Sequence, residues 1–303
     1  MQDTSRFAAL RQQHYNATVI DLRRAREGLL VLRVRPDAPI PEYAAGQWLP
    51  AGIGLWEPRG AGCPEETLAE ATSLARKTYS LSCAILARGE DRLLEHEEHD
   101  WYELYMGFDP ERATGASGAA VAARFAALEP GDRVWVGERP QGNYTLDAVQ
   151  PDDDVLFLAT GTGEAPHNRM IWELLRRGHR GRIASVVTVR VTADLAYREE
   201  HARLMRMFPA YRWVGVATRE QEHRGVRLQA MLASGNLERH AGLTLDPERS
   251  QVFLCGNAGM LGRPQHEGNR KIYPAPVGMI ELLEERGFRS DPHPDSHVHF
   301  EHG

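Results

Sequence analysis

Hydrophobic and polar positions alternate in short bursts over the first half of the chain. Such segments run from Thr18 to Leu22, Leu29 to Val34, Thr78 to Ser82, Trp101 to Met106 and Arg133 to Val136. Turn-forming residues separate them: Glu27-Gly28, Pro36-Asp37 and Pro130-Gly131-Asp132. Short strands punctuated in this way predict an antiparallel barrel or sandwich. Beyond the acidic turn at Pro151 to Asp154 the pattern changes. Val155 to Leu158 is a continuous apolar run, as a strand buried on both faces requires, and Ile171, Leu174 and Leu175 then recur at helical spacing. A strand over 183–191, a helix over 198–207, a strand over 212–217 and a helix over 226–232 follow. A last strand over 252–255 and a helix carrying Ile280, Leu282 and Leu283 complete the series. This alternation predicts a doubly wound α/β domain with a parallel sheet. The expected division is residues 1–150 and 151–303, with a C-terminal tail. Leu55 to Ala75 and Gly262 to Pro276 read as loop-rich insertions.

Composition narrows the function. The 303 residues carry 36 basic and 42 acidic side chains, a net charge of −6. That balance argues against a basic nucleic-acid binder. All basic residues except Lys77 and Lys271 are arginine. With 42% apolar and 26% charged residues the composition is globular. Apolar runs are too short to cross a bilayer, and the segment Met1 to Arg11 has no continuous apolar stretch of the kind a signal peptide needs. Cys63, Cys83 and Cys255 are too few for a disulfide framework or for the four thiolates of an ordinary iron–sulfur cluster. A cytoplasmic protein without a membrane span is expected, and any redox chemistry needs another cofactor.

Three segments have the residue types that chemistry needs. Gly161-Thr162-Gly163-Glu164-Ala165-Pro166 follows a predicted strand and opens a helix. Glycines there let backbone approach a phosphate, and helix N–H groups favour an anion. The same residues also describe a plain strand–helix turn, and Glu164 beside a phosphate is unfavourable unless it points away. Cys255-Gly256-Asn257-Ala258-Gly259-Met260 ends the last apolar strand, at the edge where open parallel sheets bind ligands. A buried structural cysteine is the alternative. In Lys77-Thr78-Tyr79-Ser80 the alternation puts Lys77 and Tyr79 on one face and Thr78 and Ser80 on the other. A tyrosine ring can lie against an aromatic cofactor and a serine hydroxyl can bond a ring nitrogen, although a half-buried strand accounts for the pattern equally.

In their order and spacing, these segments resemble the ferredoxin–NADP reductase family, of the bacterial type. Ala45-Gly46-Gln47-Trp48 matches its Gly-Gln-aromatic strand and Lys77 to Ser80 its R-x-Y-S motif. Leu128 to Asp132 with Val134 to Val136 matches the turn and strand that close its barrel, and Gln141-Gly142 to Leu146-Asp147 the stretch before the domain crossover. Gly161 to Pro166 matches G-T-G-x-A-P, and Cys255-Gly256 with Met260 matches C-G-x-x-x-M. The likeness covers nearly the whole chain. It implies a barrel that binds FAD and an α/β domain that binds NADP. By the same likeness Tyr79 stacks on the flavin, Ser80 sits near its N5, and the backbone of Leu104, Tyr105 and Met106 lines its ribose and pyrophosphate. Gly161, Thr162 and Gly163 cradle the NADP pyrophosphate, and Cys255 lies by the nicotinamide. Arg190, Arg219 and Arg227 take the 2′-phosphate, which guanidinium forks suit.

Three positions depart from the family pattern. Lys77 stands where the family has arginine, which keeps the charge but not a bidentate fork. Ala122 stands where a Ser or Thr is expected at the FAD pyrophosphate, with Ser117 or helix amides as substitutes. The chain ends Val298 to Gly303, where Phe300 or a histidine is the candidate to cover the FAD. Other signals read as surface. His96 and His99 are three apart, not the four of a zinc-protease helix. His293, His297, His299 and His302 read as a polar tail rather than a metal site. Arg23, Arg24 and Arg26 form a hairpin face that an acidic carrier could also use.

The expectation is therefore an FAD-dependent oxidoreductase that moves hydride between NADP(H) and FAD and single electrons to or from a ferredoxin or flavodoxin. The alternatives are an NAD(P)H reductase serving an oxygenase or free flavin, and a flavin-binding electron-transfer or regulatory subunit without its own NADPH turnover.

Overall fold

The computed structural model describes residues 2–58, 72–108, 118–221, 224–268, 270–291, 293 and 296–302. Cys63 and Ser117 lie outside these residues, as does most of the first expected insertion. The chain forms two compact units. One comprises residues 1–83 and 95–143, the other residues 84–94 and 144–303. The second unit therefore begins at Tyr144, slightly before the expected boundary, and also takes in a segment from the first half of the chain.

The first unit opens with helix α1 (Gln2–His14). Strands β1 (Ala17–Arg26), β2 (Leu29–Pro36), β3 (Trp48–Gly54), β4 (Leu74–Ser82), β5 (Tyr102–Gly107) and β6 (Arg133–Val136) follow, with helix α2 (Gly118–Phe125) before β6. All strand pairs are antiparallel and the barrel closes in the order β1-β2-β5-β4-β3-β6. The period-two alternation decides which side chains fill it. Leu30, Leu32 and Val34 of β2, Leu49, Ala51 and Ile53 of β3, and Leu104 and Met106 of β5 point inward. Val121, Ala122 and Phe125 of α2 join this core. The Gly-Gln-aromatic segment acts as a clasp. The Gln47 side chain accepts from the Ala44 N–H at 3.1 Å and donates to the Gly142 carbonyl at 3.1 Å. Trp48 and Gln141 exchange two backbone bonds of 2.8 Å.

The second unit is built on strands β7 (Asp154–Thr160), β8 (Ile183–Val189), β9 (Tyr211–Ala217), β10 (Ser250–Gly256) and β13 (Val298–His302). Short strands β11 (Gln265–Glu267) and β12 (Arg270–Ile272) form a separate hairpin within the second expected insertion. The main sheet is wholly parallel, in the order β13-β10-β7-β8-β9. Helices α3 (Glu164–Arg176) and α4 (Arg198–Met207) bring His167 and His201 onto the face that carries Phe157 and Trp213. On the other face, α5 (Leu228–Ala233), α6 (Asn236–Ala241), α7 (Ala258–Leu261) and α8 (Met279–Glu284) pack on Leu156, Leu158, Val186, Val252 and Leu254. A doubly wound sheet results. The stretch expected as a polar tail is instead the edge strand β13, which the backbone pairing of Val298 to His302 with Val252 to Gly256 holds in place. The crossover 84–94 is fastened to this unit. Glu200 accepts the N–H groups of Ile85 and Leu86 at 2.8 Å each, and Trp172 Nε1 donates to the Leu94 carbonyl at 2.8 Å. Among the described residues no helix is long and apolar enough to cross a membrane.

Candidate functional site

In the second unit the chain winds outward in one direction through β7, β8 and β9 and in the other through β10 and β13. The reversal lies between β7 and β10, and a crevice outside the carboxyl ends of such strands is the ligand position of this architecture. Both glycine motifs sit there. Gly161 to Gly163 form a single tight turn between β7 and α3. Gly161 has φ +56°, a left-handed conformation that glycine adopts without steric cost, and the space where a Cβ would stand is open. Gly163 is set against β10, where a Cβ would come to 2.1 Å from the Cys255 carbonyl oxygen. Thr160 locks the two strand ends together. Its Oγ1 accepts from the Asn257 backbone N–H at 2.9 Å and from Asn257 Nδ2 at 3.1 Å. Asn257 Oδ1 in turn accepts the Met260 N–H at 2.9 Å and caps α7. Thr160 leads into the first motif segment and Asn257 lies within the second, yet sequence alone assigns a role to neither.

Glu164 does not oppose an anion at this edge. It is 1% exposed and turned inward, with Oε1 3.1 Å from Trp213 Nε1, which donates to it, and 3.2 Å from His201 Nε2. His201 stacks on Trp213 at 5.2 Å, and its Nδ1 lies 2.8 Å from the Tyr211 hydroxyl. Cys255 is fully buried, and burial, aided by the charge of Glu301, pushes its thiol well above the usual range. It therefore presents a neutral sulfur at neutral pH, not a thiolate.

The three arginines emerge at the same edge. Arg190 follows β8, Arg219 follows β9, and Arg227 immediately precedes α5. All three are exposed. The Arg219 N–H donates to the Arg190 carbonyl at 2.9 Å, so these two residues are neighbours.

In the first unit β4 carries the other candidates. Tyr79 is 7% exposed, with its ring edge-on to Phe125 at 6.4 Å. Its hydroxyl is buried without a hydrogen-bond partner among the described residues. Lys77 is exposed, and its Nζ lies 5.4 Å from the Tyr79 ring centre on the same face. Ser80 is half-buried opposite Trp48 of β3. Leu104, Tyr105 and Met106 are buried on β5 next to the end of β4, where Leu104 pairs with Leu81. An orphaned buried hydroxyl beside a solvent-facing ammonium fits a polar, anionic cofactor at this strand face. Phe300 lies in the second unit, on β13 opposite Leu254, with the Arg263 guanidinium 5.6 Å above its ring. Among the described residues there is no group of three or more side chains placed to hold a metal ion.

The chain combines a closed antiparallel barrel with a doubly wound sheet whose Gly-Thr-Gly and Cys-Gly strand ends lie side by side. Residues 157–265 match the oxidoreductase NAD-binding domain family. The flavodoxin/ferredoxin–NADP reductase of Shigella flexneri is 32% identical over 144 residues, which cover 46% of this chain and 58% of that protein. Ferredoxin–NADP reductase A of Sorangium cellulosum is 30% identical over 179 residues, covering 55% of this chain and 58% of that protein. The chain thus spans less than two thirds of each relative. A crystal structure of a ferredoxin NADP+ reductase from Neisseria gonorrhoeae with bound FAD and NADP superposes with a TM-score of 0.69 at 17% identity, over 95% of this chain and 98% of that one. The family match lies within the second unit, and the likeness to ferredoxin–NADP reductases covers about half of the chain.

Proposed function

We propose that this chain is an FAD-dependent oxidoreductase that transfers hydride between NADP(H) and FAD and exchanges single electrons with a ferredoxin or flavodoxin. The observation that carries the reading is the carboxyl edge of the parallel sheet. An open, left-handed Gly161 begins the turn there, Gly163 seats it against the Cys255-Gly256 strand end, and Arg190, Arg219 and Arg227 emerge along the same edge. Backbone at Gly161 to Gly163 takes the pyrophosphate, because no side chain blocks its approach. The arginines take the 2′-phosphate, and they favour NADP over NAD. Cys255, fully buried at the end of β10, contributes by holding the strand end at the nicotinamide position rather than by an exposed sulfur.

On the barrel, Lys77 gives a positive charge to the FAD pyrophosphate and the Tyr79 hydroxyl gains a polar partner. Ser80 and the backbone at Leu104 to Met106 position the flavin side, and Ser117 remains the candidate for a further phosphate contact. When bound, FAD accepts a hydride and returns electrons one at a time. The protein's share of the chemistry is to bind, orient and exclude water. Phe300 is retained as the candidate aromatic cover.

An anaerobic titration with NADPH, then with candidate ferredoxins and flavodoxins, tests the reading by absorbance. The expected result is a yellow protein that bleaches with NADPH and recovers its colour on adding an oxidised carrier. A yellow protein that NADPH leaves unbleached would establish a flavin-binding subunit without turnover. Recovery with free flavin or an oxygenase, but with neither carrier, would move the chain to that class of reductase.

A further inference from the structure

The loop that follows β8 carries Arg190 and the loop that follows β9 carries Arg219 and Arg227, and the Arg219 N–H to Arg190 carbonyl bond of 2.9 Å joins the two loops at their roots. One residue beyond Arg219 stands a carboxylate, an unfavourable neighbour for a phosphate dianion. Its geometry removes the conflict. One Glu220 oxygen accepts the Thr192 backbone N–H at 2.6 Å, and the other accepts the Thr192 hydroxyl at 2.7 Å. Thr192 begins the short helical turn Thr192–Asp194 in the loop after β8. Glu220 therefore closes a second bridge between the two arginine-bearing loops. These hydrogen bonds hold its carboxyl below the usual range, so it is ionised at neutral pH with both oxygens engaged.

We propose that Glu220 is a positioning residue for phosphate discrimination: by clamping Thr192 it fixes the spacing of Arg190 and Arg219 and turns its own charge away from the anion they hold. The proposal rests on the reading of these arginines as the grip on a nucleotide 2′-phosphate. It adds a reason for an acidic residue within a site for an anion. Two loops tied by both bridges hold the backbones of Arg190 and Arg219 at one separation, and a site whose frame is pre-arranged in this way loses less on binding.

The test is calorimetric binding of 2′,5′-ADP and of 5′-ADP to the full chain, wild type against Glu220→Ala, Glu220→Gln and Thr192→Val. Glu220→Ala is expected to weaken 2′,5′-ADP about tenfold, the loss that corresponds to about one hydrogen bond's net worth. Binding of 5′-ADP should be unchanged. Glu220→Gln, which keeps one acceptor for the Thr192 N–H, and Thr192→Val, which removes only the hydroxyl bond, should give smaller losses in the same direction. These two milder variants carry the test should the alanine variant not fold. A wild-type preference for 2′,5′-ADP that survives all three substitutions would overturn the proposal while leaving the arginine reading in place. So would equal weakening of both ligands, which is the mark of a merely structural staple. A wild-type protein that binds both ligands equally would overturn the arginine reading, and the role of Glu220 with it.

Discussion

At the residue scale, the two glycines of the Gly-Thr-Gly turn are needed for different reasons, and substitution separates them. Gly161 is left-handed at φ +56° with open space around it. Gly161→Ala is expected to cost about 1–2 kcal/mol, the penalty of a Cβ in that conformation, and to place a methyl group where a pyrophosphate would approach. Gly163 has an ordinary backbone conformation but no room, since a Cβ would lie 2.1 Å from the Cys255 carbonyl oxygen. Gly163→Ala must push the turn away from β10, at about 1–3 kcal/mol for overpacking a tight contact. It should also break the Thr160 bonds to Asn257. Thermal melts with parallel NADPH binding check both. A Gly163→Ala protein as stable as wild type would show that the turn is not seated on β10. The motif was legible in the sequence, but the division of labour within it was not. Nor was the inward turn of Glu164, because its partners Trp213 and His201 lie far along the chain and only the parallel sheet brings them together.

At the element scale, what could be read depended on whether an element's pattern came from its own burial. The inward-facing strands β2 and β5 and the fully buried β7, β8 and β10 declare themselves through period-two or continuous apolar residues. Three of those that did not are instructive. Strand β3 contains Pro50, Gly52 and Gly54, which ordinarily argue against a strand. Strand β13 reads Val-His-Phe-Glu-His, polar enough for a tail, and is held by one neighbour at the sheet edge. Helix α1 has little apolar face, and its anchor is polar. Glu57, 7% exposed, accepts from Arg11 at 2.8 and 2.6 Å, from the Tyr15 hydroxyl at 2.9 Å and from Trp56 Nε1 at 3.0 Å. Glu57→Leu should strand these donors and loosen α1. Hydrogen exchange over residues 7–14 should quicken while β5 stays protected; equal protection in the variant would mean that other contacts hold the helix.

The aromatic face of the main sheet makes a prediction about pH. His167 is fully buried, with Nε2 2.8 Å from the Tyr144 hydroxyl, and burial pushes its pKa down to about 3. His299, stacked on Phe253 at 4.6 Å, is pushed down to about 4 by burial and by His297. Both are therefore neutral in the folded protein at neutral pH. An unfolded chain takes up a proton on each near pH 6.5, so the folded state is favoured fully above that pH. The advantage falls as pH drops from about 6.5 toward about 4, by up to about 1.4 kcal/mol per pH unit for each histidine. A double His167→Gln, His299→Gln variant should show a flatter fall in melting temperature over that window. A wild-type slope that the double variant reproduces would show that these two histidines do not govern acid stability.

At the scale of the whole molecule, an acidic protein must bind an anionic dinucleotide. The net charge of −6 works against association at long range, so affinity has to come from local placement of positive charge. Arg190 is on the connection after β8, and Arg219 and Arg227 are both on the connection between β9 and α5, all exposed. Their shared position follows from the winding of the sheet, which puts every βα connection at the carboxyl edge. Replacing all three by alanine leaves the strands, the core and the Gly161 turn untouched, so NADH, which lacks the 2′-phosphate, should lose little. NADPH should lose the guanidinium contacts, each a charge-assisted pair of about 1.5–3 kcal/mol. The ratio of kcat/KM for NADPH to that for NADH should accordingly collapse, and the dependence of NADPH affinity on ionic strength should weaken with it. Both readouts are needed, because a general loss of positive field would lower the two nucleotides together, whereas a specific grip changes their ratio. Equal losses for NADPH and NADH would place the 2′-phosphate elsewhere and leave the arginines as ordinary surface charge.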